Sequence, residues 1–214
     1  MTKILLKAQD DYLSSFKVES KGLIDSMEKY AEQNRIPILN WLSADYLEIL
    51  VRIHKPRRVL EIGTAIGYSA IRIASALGKK GVIDTIEKSE DNIALAKANI
   101  EESGFKSRIN ILEGDALDVM PKLKKKYEMI YLDADKEDYE RLFYFALMLL
   151  KKNGMFVADN LLWQGYAASK DIPDKFRSST KHIREFNILF TSQTILKSVI
   201  LPIGDGLGVG IKTM

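Results

Sequence analysis

The apolar positions change their period partway along the chain. Between about residues 9 and 34 they recur at helical spacing through Leu13, Phe16, Leu23, Met27 and Tyr30, which predicts one or two helices ended by Pro37. Ser43 is expected to cap a further helix over Ala44 to Ile53, ahead of Pro56. From residue 58 onward, short apolar runs alternate with helical stretches. Arg58–Ile62, Val82–Ile86, Ile109–Leu112, Met129–Leu132 and Met155–Ala158 read as strands, the last entered through an Asn153-Gly154 turn. Helical spacing fills 68–77, 89–103, 115–124 and 137–151, with Ser89 as an N-cap and Gly104 just past a C-terminus. In the tail, Ile195–Leu201 and Leu207–Ile211 flank Pro202-Ile203-Gly204-Asp205-Gly206 and read as a β-hairpin.

Strands alternating with helices imply βαβ units. The expected fold class is therefore α/β: a doubly wound, mostly parallel seven-stranded sheet with a C-terminal antiparallel hairpin and extra N-terminal helices. A length of 214 residues suits one domain, 1–214, with a helical cap (1–54) on an α/β core (55–214). The longest strongly apolar run, Leu142 to Leu150, is too short to cross a bilayer, and Met1 to Lys7 lack the apolar stretch of a signal peptide. The expectation is a cytoplasmic protein with no membrane partner.

Composition narrows the chemistry. The chain has no Cys and only His54 and His182, which excludes disulfides, thiolate metal sites, a Cys nucleophile and a multi-histidine zinc site. Any divalent metal must sit mainly on oxygen. The net charge of +3 permits a nucleic-acid partner without requiring one.

In doubly wound sheets, ligands bind beyond the carboxyl ends of the strands. The first strand runs into Gly63-Thr64-Ala65-Ile66-Gly67, where Gly63 allows close approach to the backbone. The Gly-x-x-x-Gly spacing is not the dinucleotide fingerprint, and a plain structural turn competes with ligand binding there. Glu87 ends the second strand and can accept hydrogen bonds from both hydroxyls of a ribose, or simply cap the next helix. Gly114-Asp115-Ala116 follows the third strand; it can clamp an adenine edge, and Asp115 reads equally well as an N-cap. Asp133 ends the fourth strand, and Asp159-Asn160 the fifth. Two carboxylates on adjacent strand ends repel unless a cation or a proton lies between them. With Asn160 they form an oxygen set suited to Mg²⁺; helix capping by Asp133 and a turn at Asp159-Asn160 are the competing reading. Lys136 sits on the next helical turn, a poor place for a cation if stability alone decides. Its pKa is expected to be lowered by nearby positive charge, so that it can take a proton from a hydroxyl; a plain surface lysine is the competing reading.

Four runs occur in order: Glu61–Ser69, Asp133–Lys136, Asp159–Gly165 and Leu201–Leu207. Together they resemble the cation-dependent O-methyltransferases of the catechol and caffeoyl-CoA type, from about residue 30 to the C-terminus. The resemblance implies the Rossmann-like methyltransferase fold and S-adenosylmethionine held by Leu39, Gly63, Ser69, Glu87, Asp115, Ala116 and Asp133. The family pattern has Met where this chain has Leu39. It further implies Mg²⁺, or Mn²⁺, on Asp133, Asp159 and Asn160, catalytic roles for Lys136 and Asp133, and a homodimer. Residues 63–72 and the Tyr30-to-Leu39 approach are most similar to the bacterial members that methylate 5-hydroxyuridine at the tRNA wobble position to 5-methoxyuridine. A small catechol or caffeoyl-CoA-like acceptor is the alternative. For a tRNA anticodon loop, Trp163 and Tyr166 could form a stacking wall. Segment 170–184, which sums to 5 − 2 = +3, and the lysines at 122, 124, 125 and 126 could meet phosphate. Packing of Trp163 over the cofactor, and a solvated lysine face, are the competing readings.

Overall fold

A strand whose residues are apolar on both sides of the pleat needs cover on both faces of its sheet. The computed structural model, which describes residues 4–214, meets that need with helices on either side. Met1, Thr2 and Lys3, part of the leading segment assessed above, lie outside the described residues. The strands are β1 (Arg58–Ile62), β2 (Val82–Glu87), β3 (Ile109–Glu113), β4 (Tyr127–Leu132), β5 (Leu150–Ala158), β6 (Leu196–Leu201) and β7 (Leu207–Lys212). They form one seven-stranded sheet in the order β3-β2-β1-β4-β5-β7-β6. β1 to β5 are parallel, and β7 runs antiparallel to both β5 and β6. The expected α/β sheet with its terminal hairpin is therefore the observed one. The order reverses between β1 and β4, which is where such sheets open a crevice.

Alternation along the strands divides the core. Val59, Met129, Tyr131 and Val157 face α3 (Trp41–His54), α4 (Tyr68–Ala76) and α5 (Glu90–Glu102). Leu60, Ile62, Ile130, Leu132 and Phe156 face α7 (Tyr139–Leu149) and α8 (Arg177–Ser192). On the second side Phe143 meets Phe156 and Phe186 edge-on, with ring centres 5.0 and 5.4 Å apart, the preferred geometry for aromatic pairs. The remaining helices are α1 (Lys7–Ser14), α2 (Leu23–Asn34) and the short α6 (Ala116–Val119). None of the described helices is long and apolar enough to cross a membrane.

Several boundaries differ from expectation, each for a local reason. α3 starts at Trp41 because Asn40 is its cap, its Oδ1 accepting the Leu42 N–H at 2.9 Å. Ser43 is already inside the helix, fully buried, with no partner for its Oγ. The helix expected over 115–124 stops at Val119, because Pro121 lacks an N–H and the chain tightens into a 3₁₀ turn. The helix expected over 137–151 opens instead as a 3₁₀ turn, Lys136–Asp138. β5 starts early: Leu150 pairs with Tyr127, then Lys151 to Gly154 loop out before Met155 pairs with Met129. α8 was not anticipated. Its buried Thr180, Ile183, Phe186 and Phe190 have helical spacing, but the segment reads first as a run of charge. Ser89 caps α5, and Gly104 adopts φ +74°, both as expected.

Glu61, on β1, is buried without exposure. Burial pushes its carboxyl up to about 8, against the hydrogen bond from Thr85. Between the unfolded value of 4.5 and about 8, the folded protein holds a proton that the unfolded chain has lost. Stability should therefore fall as pH rises through that window, by a total on the order of a few kcal/mol. Urea titrations from pH 5 to 9 should show a flatter profile for Glu61→Gln; matching slopes in both proteins would refute this assignment.

Candidate active site

The hydrogen-bond ladder runs one residue past the strand ends. Gly63 N–H donates to Ile86 O at 3.0 Å, Asp133 N–H to Ile62 O at 2.9 Å, and Asp159 N–H to Leu132 O at 3.0 Å. These bonds set Gly63, Asp133 and Asp159 on one rim above the switch point. Gly63 has φ +98°, and a Cβ there would stand 1.9 Å from the Asp133 carbonyl oxygen, so only glycine fits. Beyond the rim lies a cavity of about 670 Å³. All the residues expected to hold cofactor or cation, or to act in catalysis, line it: Leu39, Gly63, Ser69, Glu87, Asp115, Ala116, Asp133, Lys136, Asp159 and Asn160.

One half of the cavity has the features of a nucleoside pocket. Glu87 is nearly buried and accepts three backbone N–H groups, from Ala65 at 2.8 Å, Lys88 at 3.0 Å and Ser89 at 2.9 Å. These bonds fix its carboxylate and tie the β1–α4 turn to the end of β2, while lone pairs remain for a ligand. Asp115 caps α6 through Leu117 N–H at 2.8 Å and also faces the cavity, so its two readings coexist. Leu39 is buried on the approach to α3 and closes one side.

The other half gathers Asp133, Asp159, Asn160 and Lys136. Asp159 is 3% exposed, and its Oδ1 has no hydrogen-bond partner. Burial, then the charge of Asp133, push its carboxyl up to about 8. A buried carboxylate with an orphaned oxygen beside a like charge calls for a cation or a proton. Among the described residues no three His, Cys, Asp or Glu side chains come together as a metal cluster. A hard cation here would thus rest on two carboxylates and the Asn160 amide oxygen, with water or ligand oxygens completing its shell. The donor chemistry fits that group.

Lys136 corrects an expectation. Its ammonium donates to Asp133 Oδ1 at 3.1 Å, Ala134 O at 3.0 Å and Tyr139 Oη at 2.8 Å. It also lies 4.6 Å from the centre of the Tyr139 ring. Burial works to strip its proton, but Tyr139 and Asp133 outweigh burial and raise its pKa. The lysine is held charged by negative and π-rich neighbours; no positive group lowers it.

Some of the expected RNA-facing features have other partners, while Lys122, Lys124, Lys125 and Lys170 are exposed. Trp163 lines the cavity, whereas Tyr166 is buried and stacked on Phe176 at 5.1 Å. Arg184 donates to the carbonyls of Tyr166, Ala167 and Ser169, pinning that loop. Arg177 pairs with Asp174 at 2.9 Å, and Lys175 sits over Phe176. Lys126 caps α7 through Met148 O. Asp205 entered the sequence reading as part of a hairpin turn and of the Leu201–Leu207 run, with no role at the site, yet it lines the cavity and accepts from Asn160 Nδ2 at 3.3 Å. The available signal was a carboxylate set between two turn glycines, opposite the strand-end acids.

Comparison with known proteins matches residues 15–213 to the O-methyltransferase family. A catechol O-methyltransferase of Niastella koreensis is 29% identical over 218 residues, spanning 99% of this chain and 95% of that protein. The crystal structure of a candidate caffeoyl-CoA O-methyltransferase from Staphylococcus aureus superposes with a TM-score of 0.89 at 31% identity, covering 96% of this chain and all of that one. The O-methyltransferase TomG from Streptomyces achromogenes, solved with S-adenosylmethionine, gives 0.84 at 25% identity, covering 98% of this chain and all of that one.

Gly63→Ala should lower stability by at least about 2 kcal/mol, because a left-handed alanine must also displace the Asp133 carbonyl. It should abolish binding of S-adenosylhomocysteine in calorimetry. Wild-type affinity in that variant would show that the close approach is dispensable.

Proposed function

The chain belongs to the O-methyltransferase family, and from that premise we propose that it transfers the methyl group of S-adenosylmethionine to one oxygen of a small aromatic vicinal diol, with a divalent cation held by Asp133, Asp159 and Asn160. The observation that carries this reading is the charge of the cavity wall. Glu87, Asp115, Asp133, Asp135, Asp159 and Asp205 face it. Its two lysines are both paired, Lys88 with Asp135 at 2.6 Å and Lys136 with Asp133 at 3.1 Å. A wall of net negative charge favours a sulfonium cofactor, a divalent cation and a neutral phenol. It disfavours the phosphate backbone of an RNA loop, which binds through unpaired Lys and Arg. The tRNA wobble base thus ranks behind the catechol-like acceptor, and the similarity to a catechol O-methyltransferase supports the same order.

When bound, a divalent cation lowers the pKa of an acceptor hydroxyl, which makes that oxygen nucleophilic near neutral pH. Asp133, Asp159 and Asn160 supply its protein oxygens. Glu87 and Gly63 orient the nucleoside end of the cofactor, and Leu39 covers the cavity from the 1–54 cap. Lys136 acts as a fixed ammonium: it keeps Asp133 in place and offers positive charge to the acceptor oxygen. Trp163 provides an apolar wall that excludes water from the transfer. Positioning then accounts for most of the acceleration, because direct methyl transfer needs only an aligned nucleophile and sulfonium carbon. Ile49 and Ile53, exposed on one side of α3, favour pairing with a second copy of the chain.

Purified enzyme with S-adenosylmethionine and Mg²⁺ should methylate free catechol faster than a tRNA carrying 5-hydroxyuridine; the reverse order would overturn the acceptor assignment. Asp159→Ala should lose Mg²⁺-dependent transfer by about a hundredfold or more, and near-normal turnover there would sink the cation role. Lys136→Met should lower kcat by about 10²-fold with a smaller change in KM, whereas a pure KM effect would limit Lys136 to binding.

A further inference from the structure

We infer that Asp205, at the tip of the β6–β7 hairpin, is the positioning residue that holds Asn160 in its cation-binding orientation and links it to the wall at Trp163. This rests on the cation reading above. A carboxamide presents oxygen at one end and nitrogen at the other, so directing its oxygen to a cation requires an acceptor for its nitrogen. Asn160 Nδ2 donates to Asp205 Oδ2 at 3.3 Å and to Asp159 Oδ2 at 3.4 Å. Asp159 belongs to the cation set itself, which leaves Asp205 as the acceptor outside it. The other oxygen of Asp205, Oδ1, accepts the Gln164 N–H. That amide lies in a left-handed run, with φ +48° at Trp163, +55° at Gln164 and +84° at Gly165. Non-glycine residues hold such angles only when their surroundings over-determine them.

The turn that carries Asp205 is itself seated firmly. Leu162 N–H donates to Asp205 O and Leu161 N–H to Gly206 O, both at 2.9 Å. A Cβ on Gly206 would stand 2.5 Å from Leu162 N, and one on Gly204 2.0 Å from Ser43 Oγ. The hairpin tip is thus pressed between the start of α3 and the 160–165 segment. Asp205 does not complete a three-carboxylate cluster with Asp133 and Asp159, so its place is behind a ligand. Partners that orient metal ligands in this way typically contribute about ten- to hundredfold in metal affinity.

The test is titration of the full chain, saturated with S-adenosylhomocysteine, with Mn²⁺ read by electron paramagnetic resonance. Wild type should bind Mn²⁺ and Asp159→Ala should not. A wild type that fails to bind removes the cation reading, and this inference with it. Given that binding, Asp205→Ala should weaken Mn²⁺ about ten- to hundredfold while keeping its affinity for S-adenosylhomocysteine. Asp205→Asn, with one acceptor oxygen for two donors, should show an intermediate loss and preserves the turn if the alanine variant unfolds. Asn160→Ala combined with either change at 205 should bind no more weakly than Asn160→Ala alone. Wild-type Mn²⁺ affinity in Asp205→Asn, or a full further loss in the double variant, would overturn the inference; the latter would make Asp205 a ligand in its own right.

Discussion

The site depends on the contact between two strand ends, the turn at Gly63 against the carbonyl of Asp133. Parallel strands deliver side chains to one rim only if their ladders end in step, and here the bonds from Asp133 N–H to Ile62 O and from Gly63 N–H to Ile86 O carry that step beyond the strands. A side chain at 63 would part β1 from β4 where the crevice opens. The positions of Glu87 on one side and Asp159 on the other follow from that contact, because each is registered to β1 or β4 through its own neighbour strand.

The same geometry concentrates negative charge. Strand ends and helix starts share this rim, and helix N-termini favour acids. Asp115 caps α6, and Glu87 gathers backbone N–H groups from two loops. Some of the acidity is therefore stabilised by the fold before any ligand arrives. Asp159 is the exception: its Oδ1 is buried without a donor, and burial and the charge of Asp133 outweigh the Asn160 bonds and Lys136. That contrast separates the acids whose oxygens the fold itself partners from the one left with a buried, unpartnered oxygen.

The sheet was legible because its strands are short apolar runs at regular intervals, and the strand-end rule then located the acids. What escaped the sequence depended on neighbours far along the chain. Ser43 looks like a cap, but Asn40 takes the role because the chain is still extended there and already helical three residues later. The sign of the Lys136 shift depends on Tyr139 and Asp133 folding back onto one ammonium, which a count of nearby cations does not reveal. α8 carried a readable period in Ile183, Phe186 and Phe190, masked by the basic residues between them. Asp205 lies 45 residues from Asn160, and only the antiparallel return of β7 brings them together.

The bonds from α8 to the loop after β5 bear on how this scaffold can change. Arg184 holds three carbonyls of that loop, and Asn187 Nδ2 donates to Leu161 O at 2.8 Å. The loop bearing Trp163 is therefore held from two sides, by the hairpin tip through Asp205 and Gly206 and by a helix that follows it in the chain. Grafting the loop alone into a related scaffold would leave its carbonyls without donors. The transferable unit is the piece from Asn160 to the end of α8 together with the 204–206 hairpin tip, and this pocket wall should be exchanged as that pair, with helix and turn as its mould.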